Sequence, residues 1–272
     1  MADRLTDAHA ASGATAKLEL RAIHHEFKDD AGQPLPVLDG LDLVAEENQF
    51  VAVVGPTGSG KSTLFHILAG LLAPTSGGVY VDGRDITGST GHVAYMMQKD
   101  LLLGWRRVID NIALGPELAG EPRAAARERA REMMPMFGLG GFEDFYPAGL
   151  SGGMRQRVAL MRTFLCEKSL LLLDEPFSAV DALTRAGLHE WLQGVCADFP
   201  RTVLFITHDP EEAVLLSDRT YVLTRRPAHV KGVVDVDLPR PRTHETVGDP
   251  HFAELKRQVL DLVWEERAEA VR

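Results

Sequence analysis

The chain has 272 residues, 45% of them hydrophobic and 25% charged, close to average globular usage. That length bounds it to one large domain, or one domain with a sizeable insertion, and supports a core that needs no disulfide scaffold. With 29 basic and 39 acidic side chains the formal net charge is −10, which argues against a general nucleic-acid binder.

Met1 to Ala16 mixes Asp3, Arg4 and Asp7 with small residues and has no apolar stretch, so a loose tail is expected there and not a secretory signal. Leu18, Leu20 and Ala22 alternate with charged residues and predict a half-buried strand. Gly32, Pro34 and Pro36 mark a turn from Asp29 to Pro36; Leu41 and Leu43 resume the alternation, and Glu46-Glu47-Asn48 reads as a tight reversal. The apolar run Phe50 to Val54 ends at Gly55, as a strand covered on both faces does.

Leu64, Ile67, Leu68 and Leu71 predict a helix over Thr63 to Leu72, stopping before Pro74. Short strands are expected at Val79 to Val81 and Val93 to Met97. From Val108 to Cys166 the pattern is almost wholly helical: Pro122 opens the stretch Arg123 to Met134, and Pro135 kinks or ends it. Two buried strands, Leu170 to Leu173 and Val203 to Ile206, flank a helix over Ala182 to Ala197. Strands at Tyr221 to Leu223 and Val230 to Val236 and an amphipathic helix over Pro250 to Val271 follow.

This order predicts an α/β fold with a mainly parallel sheet, interrupted by helices from about residue 100 to 165. No run approaches the ~18 apolar residues that span a bilayer, so the chain is expected in the cytosol unless a partner holds it to a membrane. Cys166 and Cys196 form no CxxC pair, which points to a reducing compartment without structural zinc.

Gly55-Pro56-Thr57-Gly58-Ser59-Gly60-Lys61-Ser62 fits G-x-x-x-x-G-K-[ST] between a predicted buried strand and a predicted helix. Glycines let backbone N–H groups close around phosphate oxygens, and the helix that begins near Thr63 adds its positive end. Lys61 then neutralises the β/γ-phosphates and the Ser62 hydroxyl ligates Mg²⁺. Leu170 to Leu173 is followed by Asp174 and Glu175, two carboxylates where ligands bind in α/β sheets. Asp174 suits Mg²⁺, and Glu175 suits polarising the attacking water.

Leu150-Ser151-Gly152-Gly153-Met154-Arg155-Gln156-Arg157 opens a helical stretch, and a Ser-Gly-Gly turn at a helix N-terminus forms a second anion site. At these residues the chain resembles the ATP-binding cassette (ABC) ATPases, with Met154 where the family usually has Gln. The resemblance implies the ABC ATPase fold: a P-loop core with an N-terminal antiparallel β part and an inserted helical subdomain. It also implies ATP and Mg²⁺ as cofactors and a head-to-tail homodimer, in which Ser151, Gly152 and Gly153 contact the γ-phosphate held by the opposite subunit.

The remaining family positions occur in order. Gln98 stands at the Q-loop, where the family's Gln senses Mg²⁺ and the attacking water. Ser178-Ala179-Val180-Asp181 matches the D-loop, with Asp181 bridging the dimer, or serving simply as a helix N-cap. His208 stands at the H-switch and hydrogen-bonds the γ-phosphate. Phe27 is the candidate for stacking on adenine, with a core position as the alternative, and Arg162 reads as structural.

Met97 to Trp105, Asp110 to Gly115, Thr207 to Ala213 and Val236 to Arg242 make the resemblance, which covers about Leu18 to Arg242, strongest to the nitrate/sulfonate/taurine importer group; Met96 to Asp100 keep thiamine pyrimidine precursor importers as the alternative. It implies an ATPase domain over 17–245 and a C-terminal helical tail over 246–272. It further implies a separate membrane permease, an extracytoplasmic substrate-binding protein, and a place on the cytoplasmic face of the membrane. The apolar loop Leu101-Leu102-Leu103-Gly104-Trp105 suits either a docking surface or a satellite core. A DNA-repair ATPase lacks support, because no long coiled coil or basic surface is present; intact Glu175 and His208 argue against a switch without turnover; a small-molecule kinase has no need of the Ser-Gly-Gly turn.

Overall fold

The computed structural model describes residues 16–178 and 180–269; the expected tail over 1–15 and the last residues of the expected C-terminal helix lie outside them. The described residues open with a long hairpin, β1 (Ala16–Lys28) and β2 (Pro34–Glu46), then β3 (Phe50–Val54) feeds helix α1 (Lys61–Leu68). β4 (Ser76–Val81), β5 (Arg84–Asp85) and β6 (Ala94–Met96) lead to α2 (Val108–Ile112), α3 (Leu114–Leu118), α4 (Arg123–Met133) and α5 (Gly152–Phe164). β7 (Leu170–Asp174), α6 (Ala182–Asp198), β8 (Thr202–Thr207), α7 (Pro210–Leu216), β9 (Arg219–Leu223), β10 (Val230–Asp235) and α8 (Pro250–Glu269) complete the order.

Two sheets result. An antiparallel sheet runs β2-β1-β4-β5, and a six-stranded sheet runs β10-β9-β3-β8-β7-β6, parallel except where β10 pairs antiparallel to β9. Every residue of β3, β7 and β8 is buried, because both faces of the parallel sheet are covered. The pleat sends alternate residues to two cores. Phe50, Ala52, Val54, Leu171, Leu173 and Phe205 join the core under α5 and α7, while Val51, Val53, Leu172, Leu204 and Ile206 join the core shared with α1 and the antiparallel sheet.

The structure corrects three sequence expectations. Ala22 does not point inward: it is exposed with φ +45°, its N–H donates to Asp42 Oδ1 at 2.7 Å, and the register shift there turns Ile23 into the core instead. The helix expected to reach Leu72 stops at Leu68, because Gly70 takes φ +70° and donates to Ile67 O while Leu71 N returns to His66 O. The stretch from Met134 to Ser151 is not helical apart from one 3-10 turn at Pro147–Gly149. There Met134, Phe137, Leu139 and Leu150 are core anchors of turns in which Gly138 and Gly141 have positive φ, so their apolar spacing imitates a helix.

Candidate functional site

The loop between β3 and α1 is held from below. Gly60 has φ +101°, and a Cβ on it would sit 2.7 Å from Val37 Cγ1 and 3.1 Å from Leu38 Cδ2, so only glycine lets β2 pack this close. Gly55, Pro56 and Ser59 are buried, whereas Thr57 and Gly58 form the exposed crest; Ser62 is exposed and Thr63 half-buried on the first turn of α1. Lys61 folds back into the loop, donating from Nζ to Gly55 O at 2.9 Å, Pro56 O at 2.8 Å and Ser59 Oγ at 3.2 Å. Burial pulls its pKa below the usual lysine value, against the opposing charges of Glu175 and Asp174.

Asp174 ends β7 in a buried position beside this loop. Tyr95 OH donates to its Oδ2 at 3.3 Å, and the Ser62 hydroxyl lies near enough to favour the ionised form. Burial pushes the Asp174 carboxyl above its ordinary range, so a cation placed here relieves the carboxylate. The oxygen donors of Ser62, Asp174 and Gln98 suit a hard ion such as Mg²⁺ that keeps waters and binds phosphates. Among the described residues no group of three His, Cys, Asp or Glu side chains forms a metal cage, so substrate oxygens would complete any such shell.

Glu175 follows at φ +45°, an uncommon conformation for a glutamate, pinned by its N–H to Ile206 O at 3.0 Å. Gln98 Nε2 donates to Glu175 Oε2 at 3.0 Å, and His208 Nδ1 lies 3.6 Å from Oε1. Because β6, β7 and β8 are parallel neighbours, the loops after their C-terminal ends bring residues 98, 175 and 208 to one place from widely separated parts of the chain. Lys61 and Ser62 face the same edge, so a triphosphate in the loop would meet a carboxylate, an amide and an imidazole at its end.

The Ser-Gly-Gly turn makes different contacts. Ser151 caps α5, its Oγ accepting from Met154 N at 3.3 Å, and it is exposed. Gly152 starts the helix, and a Cβ on Gly153 would meet Thr184 Cγ2 at 3.1 Å, so the turn packs beside the start of α6. Asp181 caps α6 by accepting from Thr184 N at 3.1 Å. Phe27 lies near the end of β1, 41% exposed, with its ring edge-on to His25 at 4.6 Å between centroids.

The loop after Gln98 is tied down by Asn111 and Arg162. Asn111, fully buried, accepts from Leu103 N at 2.7 Å and donates to Leu103 O, Arg106 O and Arg107 O, each at 3.1 Å. Arg162 donates to Leu101 O and Asp100 O at 2.9 and 2.6 Å, the structural role expected of it. Of the apolar loop, Leu102 packs on the core, as the satellite-core reading expects, while Leu101 and Trp105 are exposed. Tyr95 was legible only as part of a strand; nothing in its spacing announced the bond to Asp174.

Residues 38–178 match the family model described as ABC transporter. The aliphatic sulfonates import ATP-binding protein SsuB 1 of Rhodococcus jostii is 43% identical over 245 residues, covering 90% of this chain and 92% of that protein. The chain belongs to the ABC transporter ATP-binding family. Another relative, the formylaminopyrimidine import ATP-binding protein ThiZ of Halalkalibacterium halodurans, is 40% identical over 235 residues, covering 85% of this chain and 91% of that protein. Among solved structures, the dimeric ATP-binding cassette MJ0796 in a post-hydrolysis state bound to ADP and Pi superposes with a TM-score of 0.71 at 26% identity, covering 82% of this chain and all of that one. This ABC protein is an ATPase with the cassette fold. Among its described residues, no helix is long and apolar enough to cross a membrane.

Proposed function

We propose that this ABC ATPase is the energy-supplying subunit of an importer, working as a homodimer beneath a separate membrane permease on the cytoplasmic face. The observation that carries the reading is the convergence of Gln98, Glu175 and His208 beside the Lys61 loop. Gly55 to Thr63 cradle the phosphates, Lys61 neutralises them, and Phe27 stacks on adenine from the end of β1. Ser62, Asp174 and Gln98 would hold Mg²⁺, which supplies charge neutralisation on the phosphates when bound.

Glu175 orients the attacking water, its carboxylate fixed by the Gln98 amide and by the strained backbone. His208 donates to the terminal phosphate. The Ser151-Gly152-Gly153 turn and Asp181 share one surface beside α6 and belong to the facing subunit's nucleotide. The terminal phosphate then joins the two chains, and its departure lets them separate; that motion is the output passed to the permease. The helical segment between β6 and β7, with the exposed Leu101 and Trp105, is the face offered to the permease.

Substrate choice rests with the permease and an extracytoplasmic binding protein. The sulfonate relative supports a small nutrient of the nitrate/sulfonate/taurine type, and the formylaminopyrimidine relative keeps a thiamine pyrimidine precursor as the second reading. The test is steady-state phosphate release with three chains: parent, Lys61→Ala and Glu175→Gln. The reading expects turnover in the parent, loss of ATP binding in Lys61→Ala, and ATP binding without turnover in Glu175→Gln. Normal turnover in Glu175→Gln would refute it.

A further inference from the structure

A buried polar cluster lies directly behind His208, and none of the roles assigned above uses it. Glu212, on α7, is buried, and so are its neighbours His189 on α6 and Thr207, which precedes His208. Glu212 Oε2 accepts from Thr207 Oγ1 at 2.5 Å, and Oε1 lies 3.2 Å from His189 Nε2. The same Thr207 hydroxyl accepts from Asp209 N at 3.0 Å, so it clamps the peptide on both sides of His208. From the other direction, Arg185 Nη2 donates to Val180 O at 2.9 Å, and its Nε approaches Glu212 Oε1 at 3.9 Å. Phe177 closes the cluster, its ring edge-on to His189 at 4.7 Å.

An isolated buried carboxylate is costly, and one that is kept must be paired and hydrogen-bonded. This one is: although burial works against ionisation, the bonds from His189 and Thr207 and the charge of Arg185 hold its pKa below the usual glutamate value. Its partners divide into two sets. Thr207 belongs to the segment that aims His208, while Arg185 and His189 belong to the helix that Asp181 caps, and Arg185 holds the Val180 carbonyl. The carboxylate therefore ties the segment around His208 to Val180 and Asp181, the two pieces that must move together if a nucleotide shared between subunits is sensed at both.

We propose that Glu212 is a positioning residue that links the Thr207–His208 segment to the Val180–Asp181 turn through Arg185 and His189, and so sets where His208 stands relative to the terminal phosphate. This rests on the ATPase reading above but makes a separate claim: the link acts through His208 and not through general stability.

The test is a double-mutant cycle on phosphate release by the full chain at saturating ATP and Mg²⁺. Glu212→Gln keeps the shape but removes the charge; Thr207→Val removes the hydroxyl, and Thr207→Ser restores it. Expected are a kcat fall of about tenfold for Glu212→Gln and Thr207→Val, with KM for ATP unchanged within about twofold, and recovery of most activity in Thr207→Ser. In a His208→Ala background Glu212→Gln should cause no further loss, because the residue it acts through is gone. Undiminished kcat in both Glu212→Gln and Thr207→Val, or a full second loss on top of His208→Ala, would overturn the proposal. A parent without turnover, or a Glu175→Gln chain with it, would instead overturn the ATPase reading, so the two failures are told apart.

Discussion

Arg242 offers a quantitative test of how the back of the site is held. It is 2% exposed, and its guanidinium makes five hydrogen bonds to four backbone carbonyls: Nη1 to Val214 O at 3.0 Å and Ser217 O at 2.5 Å, Nη2 to Val236 O at 3.2 Å and Leu238 O at 2.9 Å, and Nε to Leu238 O at 3.2 Å. It thereby closes the C-terminal end of α7, the helix that starts two residues after His208. Arg242→Met keeps the bulk and removes every donor. Each buried carbonyl left unpaired costs about 1–3 kcal/mol. Part of that loss is offset, because burial already pushes the Arg242 pKa down to about 10, so the guanidinium carries a desolvation penalty that methionine does not.

The balance is a destabilisation of about 2–4 kcal/mol, equivalent to a fall in Tm of about 5–15 °C for a domain of this size. Arg242→Lys should recover little, since one ammonium cannot reach four carbonyls spread over this span. Urea unfolding of the three chains measures this directly. Stability of Arg242→Met within about 0.5 kcal/mol of the parent would show that these carbonyls find other partners, and the reasoning would be wrong.

Two further outcomes are expected. Asn111→Leu, which removes four hydrogen bonds between its amide and residues 103–107, should raise the rate of tryptic cleavage after Arg106 or Arg107 about tenfold in the native chain; an unchanged cleavage rate would mean other contacts hold that loop. Cys196, whose thiol burial raises to about 12, should react with a disulfide reagent at pH 8 at under about a hundredth of the rate seen in urea, and Cys166, also raised by burial, more slowly than in urea, because less thiolate forms. Native labelling as fast as in urea would contradict that burial.

Much of the fold could be read from residue order because its strands are unusually explicit. Phe50 to Val54, Leu170 to Leu173 and Val203 to Ile206 are apolar throughout, and only a sheet covered on both faces accommodates such runs. What stayed hidden depended on single backbone conformations. Ala22 in a left-handed bulge and Gly70 ending α1 two turns into its pattern leave no trace in hydrophobic spacing, and Met134 to Leu150 carried helical spacing without the helix.

The site divides the same way. Lys61, Gln98, Asp174, Glu175 and His208 announced themselves because each follows or precedes a strand in a recognisable string, and the structure sets Gln98 and His208 against the Glu175 carboxylate, with Lys61 within reach of the charges of Glu175 and Asp174. Tyr95, Asn111, Glu212 and Arg242 stand in strings that carry the family resemblance, but what each does was not legible there, since each acts on residues brought near only by folding. A buried polar side chain shows its purpose through its partners, and partners are tertiary facts.

In the proposed mechanism ATP joins two copies of this chain, with the Ser151 turn of one against the phosphate of the other. Light scattering by Glu175→Gln with ATP, alone and combined with Ser151→Arg, reads this pairing as mass. Twice the monomer mass is expected for the single variant, and monomer with nucleotide still bound for the double. A single variant that stays monomeric at high concentration, or a double variant that pairs as well as the single, would contradict it.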